Sequence, residues 1–212
     1  MLEVIVLFDG YSEELPNGRM DANCTCTLIK STKLIIVDTM TAWDREKIIA
    51  ALAKHDITPQ NIDYVVCTHS HPDHIGNNNL FTNATHIVGL LVQQGTMFYE
   101  DPRIPREGYE LCPGVNVIAT PGHTAEDVSV VVNTMKNGKK TVIAITGDLF
   151  ENMNDIFVPS IWKSLGTPEL VKTQSLMRSR IITLADSIIP GHGPMFNVTS
   201  TMRELVTDQI LK

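Results

Sequence analysis

Four metal-binding side chains within six residues, in His69-Ser70-His71-Pro72-Asp73-His74, constrain this chain more than any other feature. They follow directly on an apolar, β-type run, Ile62 to Cys67. Imidazole and carboxylate are the groups that hold zinc and its first-row neighbours at neutral pH. A strand advances roughly 3.3 Å per residue, so four such groups on the loop leaving a strand lie within reach of one site. Only four other histidines occur in 212 residues (His55, His86, His123 and His192), so composition does not account for the cluster. The chain must fold so that a strand end delivers this loop to a metal.

Three later segments repeat the same grammar of apolar run, glycine and potential ligand. Pro121-Gly122-His123 follows Val115 to Ala119, Gly147-Asp148 follows Val142 to Thr146, and Pro190-Gly191-His192-Gly193 follows Ile188 and Ile189. Gly122 and Gly191 are expected to let the backbone turn sharply before each histidine, and Pro72 to stiffen the first loop. One sheet can aim successive strand ends at a common point.

In this order the motifs resemble the metallo-β-lactamase superfamily: His-x-His-x-Asp-His, a histidine 54 residues after the first, an aspartate, then Gly-His. The resemblance runs from about Val4 to Phe196. Several phrases are similar to the animal metallo-β-lactamase-domain-containing protein 1 group: Phe8-Asp9-Gly10-Tyr11, the run Ile36-Val37-Asp38-Thr39 through His74-Ile75-Gly76-Asn77, Thr120-Pro121-Gly122-His123 and Pro190-Gly191-His192-Gly193-Pro194. The resemblance implies an α/β fold, an αβ/βα four-layer sandwich of two mixed sheets flanked by helices, with metals in a groove along one edge.

It also implies the ligand sets. His69, His71 and His123 would hold one metal, Asp73, His74 and His192 a second, and Asp148 would bridge them; Asp73 and Asp148 are the carboxylates given catalytic parts. Two zinc ions are expected, with iron or manganese also compatible with such donors. A shared anion lowers the repulsion between neighbouring dications. Two ions lower the pKa of a bound water from about 15.7 to about 7, and so supply hydroxide as nucleophile. No serine or cysteine triad is needed and none is evident; Ser70 is expected to point away from the metals. Asp38, Thr68 and Asp127 are candidates to orient the imidazoles, although ordinary capping or solvent exposure explains Asp127 equally well. His55 and His86 read as structural. Tyr11, Tyr99, Arg103, Arg106 and Tyr109 are candidates to line a substrate groove, and residues 93–111 to form a lid.

Length and composition read as one globular domain over residues 1–212, with 43% hydrophobic and 19% charged residues. No apolar run approaches the roughly 20 residues of a membrane helix. The first residues lack the basic start of a secretory signal, so a cytoplasmic or nuclear protein is expected. Cys24, Cys26, Cys67 and Cys112 fit reduced thiols there, the first two as core residues of a strand. Helices are predicted from about Trp43 to Lys54 with Thr41 as cap, from Thr167 to Ala185, and from Ser200 to Lys212. Asn137-Gly138, between Lys136 and Lys139-Lys140, reads as a hairpin turn. Apolar residues near Met97, Phe98, Phe157 and Trp162 are candidates for a homodimer face.

A net charge of −7 argues against tight, nonspecific nucleic-acid binding, but not against a phosphate held by metals. Several superfamily functions fit poorly. His71 stands where flavin-linked oxygen reductases tend to carry a carboxylate, and a bridging Asp148 is unlike the drug-hydrolysing lactamases. Only 20 residues follow His192, which leaves no room for the helical domain of standard glyoxalase II. The 43 residues between Asp148 and His192 are too few for the insertion of mRNA-cleaving β-CASP nucleases. The subgroup resemblance implies a zinc-dependent endoribonuclease acting on histone pre-mRNA 3′ ends. Alternatives are a glyoxalase II-like thioesterase or esterase acting on a small metabolite, and a metal-binding protein without turnover.

Overall fold

The computed structural model of the chain describes residues 2–136 and 138–210. Its first half runs β1 (Glu3–Phe8), β2 (Tyr11–Glu14), β3 (Met20–Asn23), β4 (Cys26–Lys30), β5 (Leu34–Val37), α1 (Arg45–Ala53), β6 (Tyr64–Cys67), α2 (Pro72–Ile75), β7 (Thr85–Val88), β8 (Leu91–Gln94) and β9 (Met97–Glu100). The second half continues with α3 (Arg103–Arg106), β10 (Tyr109–Cys112), β11 (Val115–Ala119), β12 (Val128–Lys136), β13 (Lys139–Gly147), α4 (Ser160–Leu165), α5 (Val171–Leu184), β14 (Ser187–Pro190), β15 (Phe196–Asn197) and α6 (Ser200–Asp208).

Two mixed sheets result, ordered β1-β4-β5-β6-β7-β8-β9 and β10-β11-β12-β13-β14-β15, while β2 and β3 form a separate hairpin. β5 pairs in parallel with β6, and β13 with β14. Parallel neighbours need a crossover, and the intervening segments carry α1 and α5. Both members of each pair therefore end at the same sheet edge, which is how Asp38 comes beside Thr68 and Asp148 beside His192.

Alternation along the strands sends one set of side chains between the sheets. Val37, Val66 and Ile87 meet Val117, Val130 and Ile145 there, all buried. On the outer face of the first sheet, Ile36 and Val65 pack with Ile48 and Leu52 of α1. On the outer face of the second, Ala144 and Ile188 pack with Ile181 and Ile182 of α5 and Met202 and Val206 of α6. The order helix, sheet, sheet, helix is the sandwich expected.

Several details differ from the sequence reading. α1 begins at Arg45 rather than Trp43, because the Thr41 hydroxyl donates to the Asp44 carboxylate instead of capping the helix. Residues 93–111 form no lid: they lie in β8, β9, α3 and β10, extending the first sheet and opening the second. Arg103 is engaged by Asp101 and stacks on Tyr109 at 4.3 Å. Met97, Phe98 and Phe157 are exposed as expected, but Trp162 is fully buried and cannot contribute to a surface face. Asn137 lies outside the described residues; Lys136 and Lys139 pair across that connection. No helix of the described residues is long and apolar enough to cross a membrane.

Candidate metal centre

Each of the seven candidate ligands stands just beyond a strand end or on the short helix that follows one. His69 and His71 leave β6, Asp73 and His74 lie on α2, His123 sits between β11 and β12, Asp148 follows β13, and His192 follows β14. All seven converge. His69, His71, His123 and Asp148 place one donor atom each within 4.8 Å of one another, as do Asp73, His74 and His192. Asp148 joins the two groups: its Oδ1 lies 3.3 Å from His74 Nε2, and its Oδ2 lies 3.3 Å from His192 Nε2, 3.4 Å from His123 Nε2 and 3.5 Å from His69 Nε2. His192 and His74 each come within 3.8 Å of Asp73 Oδ2.

The donor chemistry fits metal ions. His69 Nε2, His74 Nε2 and Asp148 Oδ1 are buried without a hydrogen-bond partner among the described residues. Such orphaned groups carry a desolvation cost of about 1–3 kcal/mol each unless something satisfies them. Three orphans aimed at one place, beside a carboxylate ringed by imidazoles, make a cation cage.

The surrounding chain fixes the rings. His74 Nδ1 lies 3.0 Å from Asp38 Oδ2, whose other oxygen accepts from the Thr68 amide at 2.8 Å. Asp38 and Met40 both adopt left-handed backbone, and in this turn the Met40 carbonyl accepts from Gly76 while Thr39 N donates to the His74 carbonyl. Thr68 Oγ1 stands 3.2 Å from His69 Nδ1. His192 Nδ1 lies 3.1 Å from each of two carbonyls, Tyr11 and Asn23, so it donates its proton there and leaves Nε2 free. Asp127 accepts from the Thr124 amide and hydroxyl and so closes the turn that carries His123, without touching an imidazole nitrogen. Ser70 donates to Glu126, away from the cage. His86 bonds the Phe81 carbonyl as a structural residue.

The glycines serve a purpose other than the one expected. Gly122 and Gly191 are not in left-handed backbone; what they provide is space. A Cβ at Gly191 would collide with Asp148 Oδ1, and one at Gly122 would press on Gln174. The conformational demand falls on Gly147 instead, at φ +51°, packed against Thr68.

Electrostatics follow from burial and from Asp148. Burial, with His74 beside it, holds His69 well below the usual imidazole range. Burial also pushes His74 down, but Asp148 and Asp38 more than offset this and hold it well above. Burial alone would raise Asp148; the His74, His192 and His69 rings hold it well below the carboxylate range. At His192, burial is outweighed by Asp148 and the ring is held up at about 9.

One residue escaped the sequence reading. Glu151 is buried, and its Oε1 lies 3.7 Å from His123 Nδ1; neither atom has a hydrogen-bond partner among the described residues. Its carbonyl accepts from His192 N at 2.7 Å, so Glu151 touches a ligand of each group. Burial and the nearby Asp148 push its carboxyl well up. The Glu151 amide donates to Asp155, which pairs with the fully buried Arg178; Arg178 also donates to the Leu149 carbonyl. The loop bearing Asp148 is thereby tied to α5. Cys24 stands near Asp38 and His74, but burial raises its pKa well up and keeps it a thiol, a poor metal ligand.

A four-layer sandwich with paired His/Asp cages at one edge defines the class of metal-dependent hydrolases with a metallo-β-lactamase fold. The family model for the metallo-β-lactamase superfamily matches residues 19–108. The chain is 36% identical over 200 residues to metallo-β-lactamase domain-containing protein 1 of Xenopus laevis, covering 92% of this chain and 81% of that one. It is 38% identical over 170 residues to the Homo sapiens protein of that name, covering 77% of this chain but 59% of the relative's length. A metallo-β-lactamase from Pseudomonas aeruginosa in its mono-zinc form superposes with a TM-score of 0.62 at 16% identity, covering 96% of this chain and 91% of that one. The chain belongs to the metallo-β-lactamase superfamily.

Proposed function

We propose that the chain is a dinuclear metal-dependent hydrolase that cleaves RNA phosphodiesters, with histone pre-mRNA 3′ ends as the substrate implied by the sequence resemblance. The observation that carries the hydrolase reading is Asp148, whose Oδ2 lies beside His69 and His123 of one group and His192 of the other, with Oδ1 beside His74. When bound, two dications supply an activated water and stabilise charge that develops on the substrate. His69, His71 and His123 would hold one ion, and Asp73, His74 and His192 the other. Asp148 then holds the two in register. Asp38, Thr68 and the Tyr11 and Asn23 carbonyls keep His74, His69 and His192 in the tautomer that presents Nε2. Asp73, half-buried, would complete the donors of the second ion beside His74 and His192. The RNA part of the reading rests on the 36–38% identity to the domain-containing protein 1 group. Labelled histone pre-mRNA incubated with metal-loaded protein tests it. Cleavage by wild type well above Asp148→Asn supports the reading, and equal, poor cleavage by both ends it.

The net charge of −7 favours a second reading, hydrolysis of a small thioester or ester that needs no basic surface. Turnover of glutathione thioesters well above the Asp148→Asn control is its signature.

A further inference from the structure

We propose that the cleft between the β2–β3 hairpin and α4 is a nucleobase subsite that reads an exocyclic amino group; this rests on the RNA reading above. The cleft encloses about 380 Å³, and its lining includes Glu14, Met20, Glu151, Asn154 and Ile161. That size falls within the roughly 300–1,000 Å³ of small-molecule sites.

Its three walls are each fastened to a candidate metal ligand. The hairpin side holds His192 Nδ1 through the Tyr11 and Asn23 carbonyls. The Glu151 carbonyl accepts from the His192 amide at 2.7 Å, and the Glu151 carboxylate faces His123. Just beyond α4, Thr167 donates to the His123 carbonyl from its amide at 3.0 Å and from its hydroxyl at 2.8 Å. A substrate whose reacting bond sits at the cage therefore has this cleft beside it.

The chemistry of the lining selects the occupant. Glu14 is an acceptor, Asn154 offers an amide, Met20 and Ile161 give apolar contact, and no lysine or arginine among the described residues lines the cleft. A further phosphate is repelled there. A planar group with N–H donors is accommodated, as when carboxylates accept from cytosine N4 or asparagine pairs with adenine N6 and N7. Bases of single-stranded RNA are recognised through such exposed edges. Uracil presents a carbonyl where cytosine presents its amino group, so the Glu14 carboxylate disfavours it.

Calorimetric titration of the zinc-loaded full chain with adenosine, cytidine and uridine tests this. Adenosine and cytidine are expected to bind at least fivefold more tightly than uridine, with Glu14→Gln erasing the preference. Ile161→Trp, which fills the cleft, should weaken nucleoside binding more than tenfold; zinc content and thermal melting check that both variants fold. Equal binding of all three nucleosides, or wild-type binding by Ile161→Trp, overturns the subsite even if histone pre-mRNA is cleaved. Base-selective binding without any RNA cleavage sustains the subsite and overturns the phosphodiester reading instead.

Discussion

His74 Nδ1 sits 3.0 Å from Asp38 Oδ2 with both side chains buried, so the imidazole proton is committed to that carboxylate and Nε2 is turned toward Asp148. Asp38→Asn keeps the acceptor oxygen for the Thr68 amide and tolerates the left-handed backbone at φ 59°. It can set an NH₂ donor against His74 Nδ1 and so favour the wrong tautomer. Loss of such an outer partner costs about 10–100-fold in metal affinity. Competition titration with a chromogenic chelator should show that loss for one ion per chain. Wild-type affinity for both would contradict the arrangement.

Glu151 makes a parallel case for the other group of donors. Glu151→Ala removes the carboxylate facing His123 and leaves the His192 contact, which is through the backbone, in place. Affinity for the ion held with His123 should fall by about 10–100-fold, and Glu151→Asp should recover less than half of the loss in free energy. Unchanged binding in Glu151→Ala would remove Glu151 from the site.

Loading the site must release protons. In the metal-free chain His192 is held up at about 9, so at pH 7 its ring carries a proton that a metal has to displace. Apparent affinity should therefore tighten as pH rises from 7 toward 9, and zinc added to weakly buffered protein should acidify the solution. Stability of the metal-free chain should follow the opposite trend. A raised histidine pKa contributes stability that is fully present below about 6.5, the unfolded value, and is lost as pH climbs through 9. Melting temperatures of chelator-treated protein across this window check the sign.

Arg178 and Asp155 form an ion pair at 2.6 Å with neither side chain exposed, and Arg178 stacks 4.1 Å from Phe150. Removing one partner strands a buried charge, at a cost of about 3–5 kcal/mol. Arg178→Met should lower the melting temperature by many degrees, and Arg178→Met with Asp155→Leu should recover part of the loss. A stable single variant would show that the pair does not brace the Asp148 loop.

The candidate ligands that converge at the sheet edge stood out in the sequence because strand, turn and donor are adjacent residues, and each motif lies within one segment. The sheets' inner strands were legible for the same reason: Ile35 to Val37 and Val130 to Val132 carry unbroken apolar runs. β8 and β9 were not, since at the sheet's free edge Gln93, Gln94 and Glu100 are exposed and erase the period-two signal. Trp162 was read as a candidate for a surface face; only tertiary packing brings Arg178 over its ring, 4.9 Å away. Glu151 had no spacing to mark it, because its partners His123 and His192 come from distant turns.

Metal content with crystallography of the zinc-loaded chain tests the central claim most directly. Two ions per chain are predicted, one beside His69, His71 and His123, the other beside Asp73, His74 and His192, with Asp148 contacting both and Asp148→Asn retaining at most one. A single ion in wild type, or His192 turned away from Asp73, would contradict it.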